Sequence, residues 1–166
     1  MQAFIYIFSF MFLLLTSAFA QNRNVESLLS KYKDKEGIKV VSMSDPGVFI
    51  AERESAQNAE AVKSILDGIK TIKTISFKTT GAKSNEVGKN FSVELEKFNP
   101  GDGFSEIMSL TEGKSKIKSL IRKNGDKVSE FIMIVAGESE STLIWLNGDI
   151  NLKNVREIGK ILKNFK

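Results

Sequence analysis

The sequence predicts an α+β protein in which helices pack on a mainly antiparallel sheet. Apolar residues recur at helical spacing in the N-terminal part, an Asn-Gly hairpin signal stands at 124–125, and two uninterrupted apolar runs follow. The predicted order is helix, strand, helix, strand, helix, then about four strands and a last helix. We therefore expect a C-terminal β-meander followed by a terminal helix.

Three helices are predicted in the N-terminal part. Apolar side chains lie on one helical face over 25–32, 59–69 and 87–98. Ser55 and Ser84 stand where a side-chain oxygen accepts the free N–H groups of a first turn, so we expect them to be the N-caps of the second and third helices.

Two strands are expected between these helices. Residues 38–43 form a short β-rich run that ends in the turn cluster 44–47, which contains Pro-Gly. Alternating apolar and polar residues over 71–80 indicate a half-buried strand. The segment 99–103 (NPGDG) predicts a break after the third helix.

The C-terminal half is expected to form the meander. Asn124-Gly125 favours a type I′ turn, in which both central residues need positive φ, and joins 115–123 to 127–135. Residues 105–111 suit either a further strand or a helix, and the sequence leaves both open.

Two apolar runs, 131–135 (FIMIV) and 143–146 (LIWL), suit strands that are covered on both faces at the centre of the sheet. Trp145 is therefore expected in the core. The chain then passes 147–149 and enters a last helix with Asn151 as its N-cap. The apolar face of that helix is formed by Leu152, Val155, Ile158, Ile161, Leu162 and Phe165.

The amino-acid composition excludes several common classes of catalytic and metal-binding site. The 166 residues include neither Cys nor His, which excludes thiolate nucleophiles, disulfides, cysteine metal sites and histidine general bases. The net charge is +4, without the large basic excess of a dedicated nucleic-acid binder. We expect no cofactor, no metal and no nucleic-acid partner.

The first twenty residues predict an export signal. An apolar run at 4–15 is followed by 16–20 (TSAFA), in which the small residues Ala18 and Ala20 form an A-x-A cleavage site before Gln21. No Lys or Arg precedes that site, so a retained anchor is the alternative. We expect residues 1–20 to be a signal peptide, 21–166 to be a single α+β domain without a transmembrane segment, and the product to be periplasmic or secreted if the source is a bacterium.

Catalytic motifs are weak. Ser30/Lys33 and Ser115/Lys118 match S-x-x-K, but such matches arise by chance in a chain rich in both residues, and the second pair lies on opposite faces of a predicted strand. Residues 147–151 (NGDIN) have part of a calcium-loop pattern, which a turn and a helix cap also explain. No nucleotide-binding glycine motif occurs.

Charge is segregated in the C-terminal half. Residues 114–127 carry six basic side chains and one acid, whereas 129–150 carry four acids and no base. If 114–122 is a strand, four basic residues share one face and form a candidate anion-binding stripe, namely Lys114, Lys116, Lys118 and Arg122. A solvated sheet face, with lysines that discourage edge aggregation, is the alternative.

Four structural motifs extend over most of the region after the predicted leader, namely Tyr32 with 36–38 (EGI), 104–108 (FSEIM), 130–135 (EFIMIV) and 146–153 (LNGDINLK). In these motifs the chain resembles a family of small exported proteins of Gram-negative bacteria, domain of unknown function four-two-five-two. The resemblance implies an envelope setting and a leader peptide, sometimes with a lipoprotein cysteine that this chain lacks. It implies no activity and no catalytic residue.

The sequence thus favours a non-catalytic exported module of the bacterial cell envelope. Its expected partner is an anionic envelope component, such as acidic lipid or polysaccharide, or an acidic protein. A hydrolase that uses carboxylates or a Ser-Lys pair, and a structural or assembly protein, are the alternatives.

Overall fold

A computed structural model of the protein describes residues 23–51, 56–78, 86–155 and 157. The predicted leader, the predicted caps Ser55 and Ser84, and the predicted terminal helix beyond residue 157 lie outside these described residues. Within these ranges, no helix combines the length and the apolar character needed to cross a membrane.

The described residues form helices and strands in an order close to the predicted one. The helices are α1 (Arg23–Tyr32), α2 (Pro46–Ala51), α3 (Ala56–Leu66) and α4 (Glu86–Glu96). The strands are β1 (Ile38–Ser44), β2 (Ile69–Lys78), β3 (Phe104–Glu112), β4 (Ser115–Asn124), β5 (Lys127–Ala136) and β6 (Glu140–Ile150). A short 3₁₀ helix (Leu152–Asn154) follows β6.

The six strands form one antiparallel sheet in the order β1-β2-β6-β5-β4-β3. The predicted α+β class with a C-terminal meander is therefore confirmed. The two apolar runs lie in β5 and β6 at the centre of the sheet, where both faces of a strand are covered. Trp145 is buried, as expected for the core.

Helices cover both faces of the sheet. On the face that we call the α1/α4 face, Ile132 and Ile134 of β5 pack with apolar residues of α1 and α4. On the opposite α3 face, Phe131 of β5 and Leu146 of β6 pack with Val62 and Leu66 of α3. The alternation of neighbouring residues between these two clusters follows from the two-residue repeat of a strand.

Gly88 lets α4 approach the sheet closely. A Cβ atom built on Gly88 would lie 2.1 Å from Cε1 of Phe77, a buried β2 side chain. Any larger residue would therefore have to displace the ring or the helix.

The β4–β5 hairpin forms as predicted, but its turn is centred one residue later than expected. Asn124 and Lys127 are paired, so Gly125 and Asp126 are the two central residues. Of these two central residues, only Gly125 has a positive φ, at 62°. This is the pattern of a type II′ turn, which needs glycine only at the first central position, and it corrects the type I′ prediction.

The structure also decides the segment that the sequence left open. Residues 104–112 form strand β3, which pairs with β4 along its length. A helix there would leave β4 without its outer neighbour. Cross-strand pairing, a non-local interaction, therefore outweighs the local helical spacing of this segment.

Several predicted boundaries shift. Pro46 and Gly47 begin α2 instead of completing a turn, because proline suits the first position of a helix. Ile69 begins β2 and does not extend α3. Strand β6 continues through the predicted turn to Ile150. Asn151 caps the following 3₁₀ helix, as predicted, by accepting a hydrogen bond from the Lys153 N–H.

Candidate functional site

The four residues of the predicted basic stripe do not form one open surface. Lys114 lies in the turn before β4 and pairs with Glu138, and both side chains are largely exposed. Lys116 pairs with Glu96 of α4 at 2.8 Å. Lys118, which is half-buried, lies between Ser109 of β3 and Ile134 of β5 in the sheet.

Arg122, the fourth residue of the stripe, is buried. Its Nη1 donates a 2.8 Å hydrogen bond to Oε1 of Glu130, and its Nη2 donates to the Asp102 carbonyl oxygen at 3.1 Å. The guanidinium carbon lies 4.3 Å from the ring centroid of Phe104. Lys116, Lys118 and Arg122 share a strand face, as alternation predicts, but the Arg122 charge is directed inward.

Glu130 joins Arg122 to Trp145. The indole Nε1 of Trp145 donates to Oε2 of Glu130 at 2.9 Å, and Lys73 stands over the Trp145 ring at 5.3 Å from its centroid. Burial raises the pKa of Glu130 above its ordinary range, although Arg122 and the hydrogen bond from Trp145 oppose this shift. Each carboxylate oxygen has a donor, so this network is suited to holding three strands together.

A groove of about 760 Å³ lies between α1 and α4, and we call it the α1–α4 groove. Its apolar lining consists of Leu28, Tyr32, Val87, Val93 and Phe98. Its polar lining consists of Asn24, Ser27, Lys31, Lys35, Asn90, Glu94, Lys97 and Asn99. Three ammonium groups thus stand around a site that contains one carboxylate.

That carboxylate, Glu94, is already engaged. It accepts hydrogen bonds from the Lys31 ammonium and from the Tyr32 hydroxyl, the latter at 2.7 Å. Desolvation acts to raise the pKa of Glu94, but the two hydrogen bonds and the Lys31 charge outweigh it and lower the pKa. Burial, and then the contact with Glu94, raises the pKa of Tyr32.

Lys35 and Lys97 are placed differently. Both line the groove, and neither forms an ion pair with a carboxylate of the described residues. The groove therefore keeps a positive charge that its own acid does not neutralise. An anionic group of a ligand is the species that such a site attracts.

The groove was missed by the sequence interpretation. Lys31 lies in the last turn of α1 and Lys35 lies shortly after that helix, whereas Lys97 directly follows α4. Only the packing of both helices on one sheet face brings these three lysines together. The available signal was the basic C-terminal end of each helical segment, which is too common to identify a site.

Among the described residues, the predicted Ser-Lys pairs and the calcium-like pattern do not form catalytic or metal sites. Ser115 and Lys118 lie on opposite faces of β4, and no hydrogen bond links Ser30 to Lys33 in this part of the chain. Asp149 of the calcium-like pattern pairs with Lys127. The described ranges contain no group of three carboxylates that would hold a metal ion.

The sequence model of the family described as "Domain of unknown function (DUF4252)" matches residues 32–158, which include all six strands and α4. No curated protein matches the chain.

Proposed function

The chain belongs to the family Domain of unknown function (DUF4252), and from that premise we propose that it is a non-catalytic interaction module of the bacterial cell envelope. In this proposal the α1–α4 groove binds an anionic group, phosphate or carboxylate, of an envelope component. The observation that carries it is the pair Lys35 and Lys97, two ammonium groups at one groove without a carboxylate partner among the described residues.

The groove offers the donors that an anion needs. Ammonium groups donate up to three hydrogen bonds each, and charge-assisted bonds to phosphate or carboxylate are stronger than neutral ones. Asn90 adds a side-chain amide at the same site. The apolar lining of the same groove suits the adjoining carbon chain of an envelope component.

The lysines of the predicted stripe add to the field around this site. Lys116 and Lys118 lie on the α1/α4 face of the sheet, the same face that carries both groove helices. The ion pair with Glu96 offsets the charge of Lys116. In this proposal Lys114, Lys116 and Lys118 steer an anion towards the groove, and Arg122 contributes through the fold because its guanidinium is buried.

Export is part of the same proposal. The A-x-A site before Gln21 supports removal of residues 1–20, after which the remaining chain works in the periplasm or outside the cell. Fractionation of cells followed by N-terminal sequencing tests this step. Gln21 as the first residue supports export, whereas an intact Met1 on cytoplasmic protein contradicts it.

Vesicle binding tests the groove. We expect the protein to sediment with vesicles of phosphatidylglycerol and phosphatidylcholine more than with pure phosphatidylcholine, and to be released by salt. Lys35→Ser with Lys97→Ser should weaken binding roughly thirtyfold, because each ammonium group near an anionic surface contributes about 1 kcal/mol. Soluble polyphosphate, as a competitor, distinguishes a site for free phosphate groups from one that needs a lipid surface.

A matched control separates the groove from total charge. Lys33 and Lys89 are exposed, lie on or next to the same two helices, and do not line the groove. Lys33→Ser with Lys89→Ser removes the same charge, and we expect only a small loss of binding. Equal losses of binding for the two double variants would contradict the proposed site. So would a parent protein that binds neither phosphatidylglycerol vesicles nor polyphosphate.

A further inference from the structure

We propose that the ligand of the α1–α4 groove is an acidic glycan, in which the sugar that carries the acidic group also presents hydroxyls to the groove. This inference rests on the proposed function, because the acidic group is the one that Lys35 and Lys97 bind there. It adds the chemistry of the ligand next to that acidic group, which the two ammonium groups do not specify.

Glu94 has one carboxylate oxygen that the fold does not use. Its Oε2 accepts both hydrogen bonds, from the Lys31 ammonium and from the Tyr32 hydroxyl. Its Oε1 accepts none from the residues that the structure describes, and the Glu94 side chain is 34% exposed at the groove. A carboxylate oxygen only accepts, so a ligand that contacts Oε1 favourably needs a hydrogen-bond donor in addition to its acidic group.

Two neutral side chains of the groove are also available. Ser27 of α1 and Asn90 of α4 are exposed, and neither side chain forms a hydrogen bond within the described part of the chain. Asn24 and Asn99 differ, because the Asn24 amide donates to the Asn99 carbonyl oxygen at 2.8 Å and the Asn99 side chain accepts from the Gly101 N–H. Ser27 and Asn90 can therefore bind a ligand without breaking a contact of the fold.

Three polar groups follow one another along α4. Asn90, Glu94 and Lys97 have the spacing of residues on one helical face, and all three line the groove. Lys97 stays in line with that face beyond the end of α4, because its N–H still donates to the Val93 carbonyl oxygen. One wall of the groove thus presents an amide, a carboxylate and an ammonium group in succession.

This succession matches a sugar acid. A sugar hydroxyl both donates and accepts, so it can donate to Oε1 of Glu94 and exchange hydrogen bonds with Ser27 and Asn90. The acidic group of the same sugar binds an ammonium group through charge-assisted hydrogen bonds. The C–H face of a sugar ring is apolar, and Val93, which is 50% exposed, provides an apolar contact in the same groove.

Two other classes of anionic ligand fit less well. A phosphate or carboxylate without a neighbouring donor leaves Oε1 of Glu94 unsatisfied and places a second negative charge near it. An extended peptide pairs with a free strand edge, whereas α1 and α4 are helices, whose interior backbone groups are hydrogen-bonded within each helix. The groove therefore favours a ligand that carries hydroxyls over one that carries a peptide backbone.

Calorimetric titration of the protein with three probes tests the proposal. The probes are a trimer of galacturonic acid, a trimer of glutamic acid with blocked termini, and a neutral trimer of galactose. Both acidic trimers carry the same number of carboxylates, but only the galacturonate trimer combines them with hydroxyls. We expect it to bind about tenfold more tightly than either other probe, because one charge-assisted hydrogen bond contributes about that factor.

Variants of the neutral side chains locate the hydroxyls in the groove. Ser27→Ala and Asn90→Ala should each weaken binding of the galacturonate trimer several-fold and leave the glutamate trimer unchanged. Ser30→Ala is the matched control, because Ser30 is exposed on the same helix as Ser27 and does not line the groove. Circular dichroism establishes that each variant is folded.

Glu94→Gln tests the carboxylate oxygen. This substitution releases Lys31 from its ion pair, which favours both acidic trimers alike, so the ratio of their two affinities is the informative quantity. The preference for the galacturonate trimer should disappear, because only this probe loses a charge-assisted hydrogen bond.

Four results would overturn the inference. They are absence of binding by the galacturonate trimer, equal or tighter binding of the glutamate trimer, a preference that Glu94→Gln leaves unchanged, and equal effects of Ser27→Ala and Ser30→Ala. If Lys35→Ser with Lys97→Ser still weakens binding of the glutamate trimer or of anionic vesicles, the proposed function stands and only the glycan is excluded. Equal affinities for the neutral and the galacturonate trimers would overturn both.

Discussion

The indole Nε1 of Trp145 donates a 2.9 Å hydrogen bond to Glu130, whose other carboxylate oxygen accepts from Arg122. The three residues belong to β6, β5 and β4, which are adjacent in the sheet. Arg122 also donates to the Asp102 carbonyl oxygen in the loop before β3. This buried network therefore links the centre of the sheet to the strand at its edge.

Removal of either charge from this network should strongly destabilise the protein. Glu130→Ala leaves the Arg122 guanidinium buried without its carboxylate partner, and Arg122→Ala does the reverse. Breaking a buried pair by removing one partner costs about 3–5 kcal/mol. Urea unfolding followed by circular dichroism measures the change in unfolding free energy.

An exposed pair provides the matched control for this prediction. Lys114 and Glu138 form an ion pair with side chains 78% and 70% exposed. Because such pairs contribute little, Lys114→Ala should change the unfolding free energy by no more than about 1 kcal/mol. Similar losses for Lys114→Ala and Arg122→Ala would contradict the argument from burial.

Replacing both members of the buried pair should cost less than the two single losses combined. In Arg122→Met with Glu130→Met, no unpaired charge remains and the apolar side chains fill part of the space. A double-mutant cycle with Arg122→Met and Glu130→Met as the single variants measures the coupling. Additive losses would show that the two side chains do not stabilise each other.

The contact between α4 and the sheet leads to a prediction for Gly88→Ala. Alanine favours a helix over glycine by about 1 kcal/mol, but its Cβ would overlap the buried Phe77 ring. Overpacking of a core typically costs about 1–3 kcal/mol, so we expect net destabilisation. Thermal unfolding compares this variant with Gly113→Ala, at an exposed turn where a Cβ meets nothing within 4 Å but a positive φ of 58° adds strain.

A larger loss for Gly113→Ala than for Gly88→Ala would contradict this packing argument. It would show that backbone strain at the turn outweighs the contact between α4 and Phe77.

The sequence predicted the elements better than it predicted their side-chain partners. Hydrophobic spacing and the Asn-Gly signal were sufficient for α1, α3, α4, the hairpin and the central strands, whereas the start of α2 was expected to be a turn. The cross-strand partner of Arg122 could not be predicted from these patterns, because the β4–β5 register shifts between Arg122 and Lys123. In an uninterrupted hairpin Arg122 would stand opposite Ser129, whereas the shift places it opposite Glu130 and makes the buried pair.

The candidate site shows the same limit. Alternation placed Lys116, Lys118 and Arg122 on one face of β4, and that placement is correct. Which part of the face is covered depends on where α1 and α4 pack, and this depends on contacts between residues far apart in sequence. The groove formed by these two helices was therefore invisible to local patterns.

Glu94 should make stability depend on pH. Its folded-state pKa is lowered because the hydrogen bonds from Lys31 and Tyr32 outweigh desolvation, so the folded protein binds a proton less readily than the unfolded chain. The resulting stabilisation is present above the ordinary pKa of 4.5 and is lost as the pH falls through the lowered value. The parent should therefore exceed Glu94→Gln in stability at pH 6, and this difference should shrink on acidification.

Tyr32→Phe provides the companion measurement. It keeps the ring, which packs 4.9 Å from the Phe91 ring centroid, and removes only the hydroxyl that donates to Glu94. Because one of the two donors that lower the Glu94 pKa is lost, the acid-induced loss of stability should be smaller and should be complete at a higher pH than in the parent. Urea unfolding between pH 2.5 and 6 measures both variants. Parallel pH profiles for the parent, Glu94→Gln and Tyr32→Phe would show that this carboxylate is not held by the two hydrogen bonds in solution.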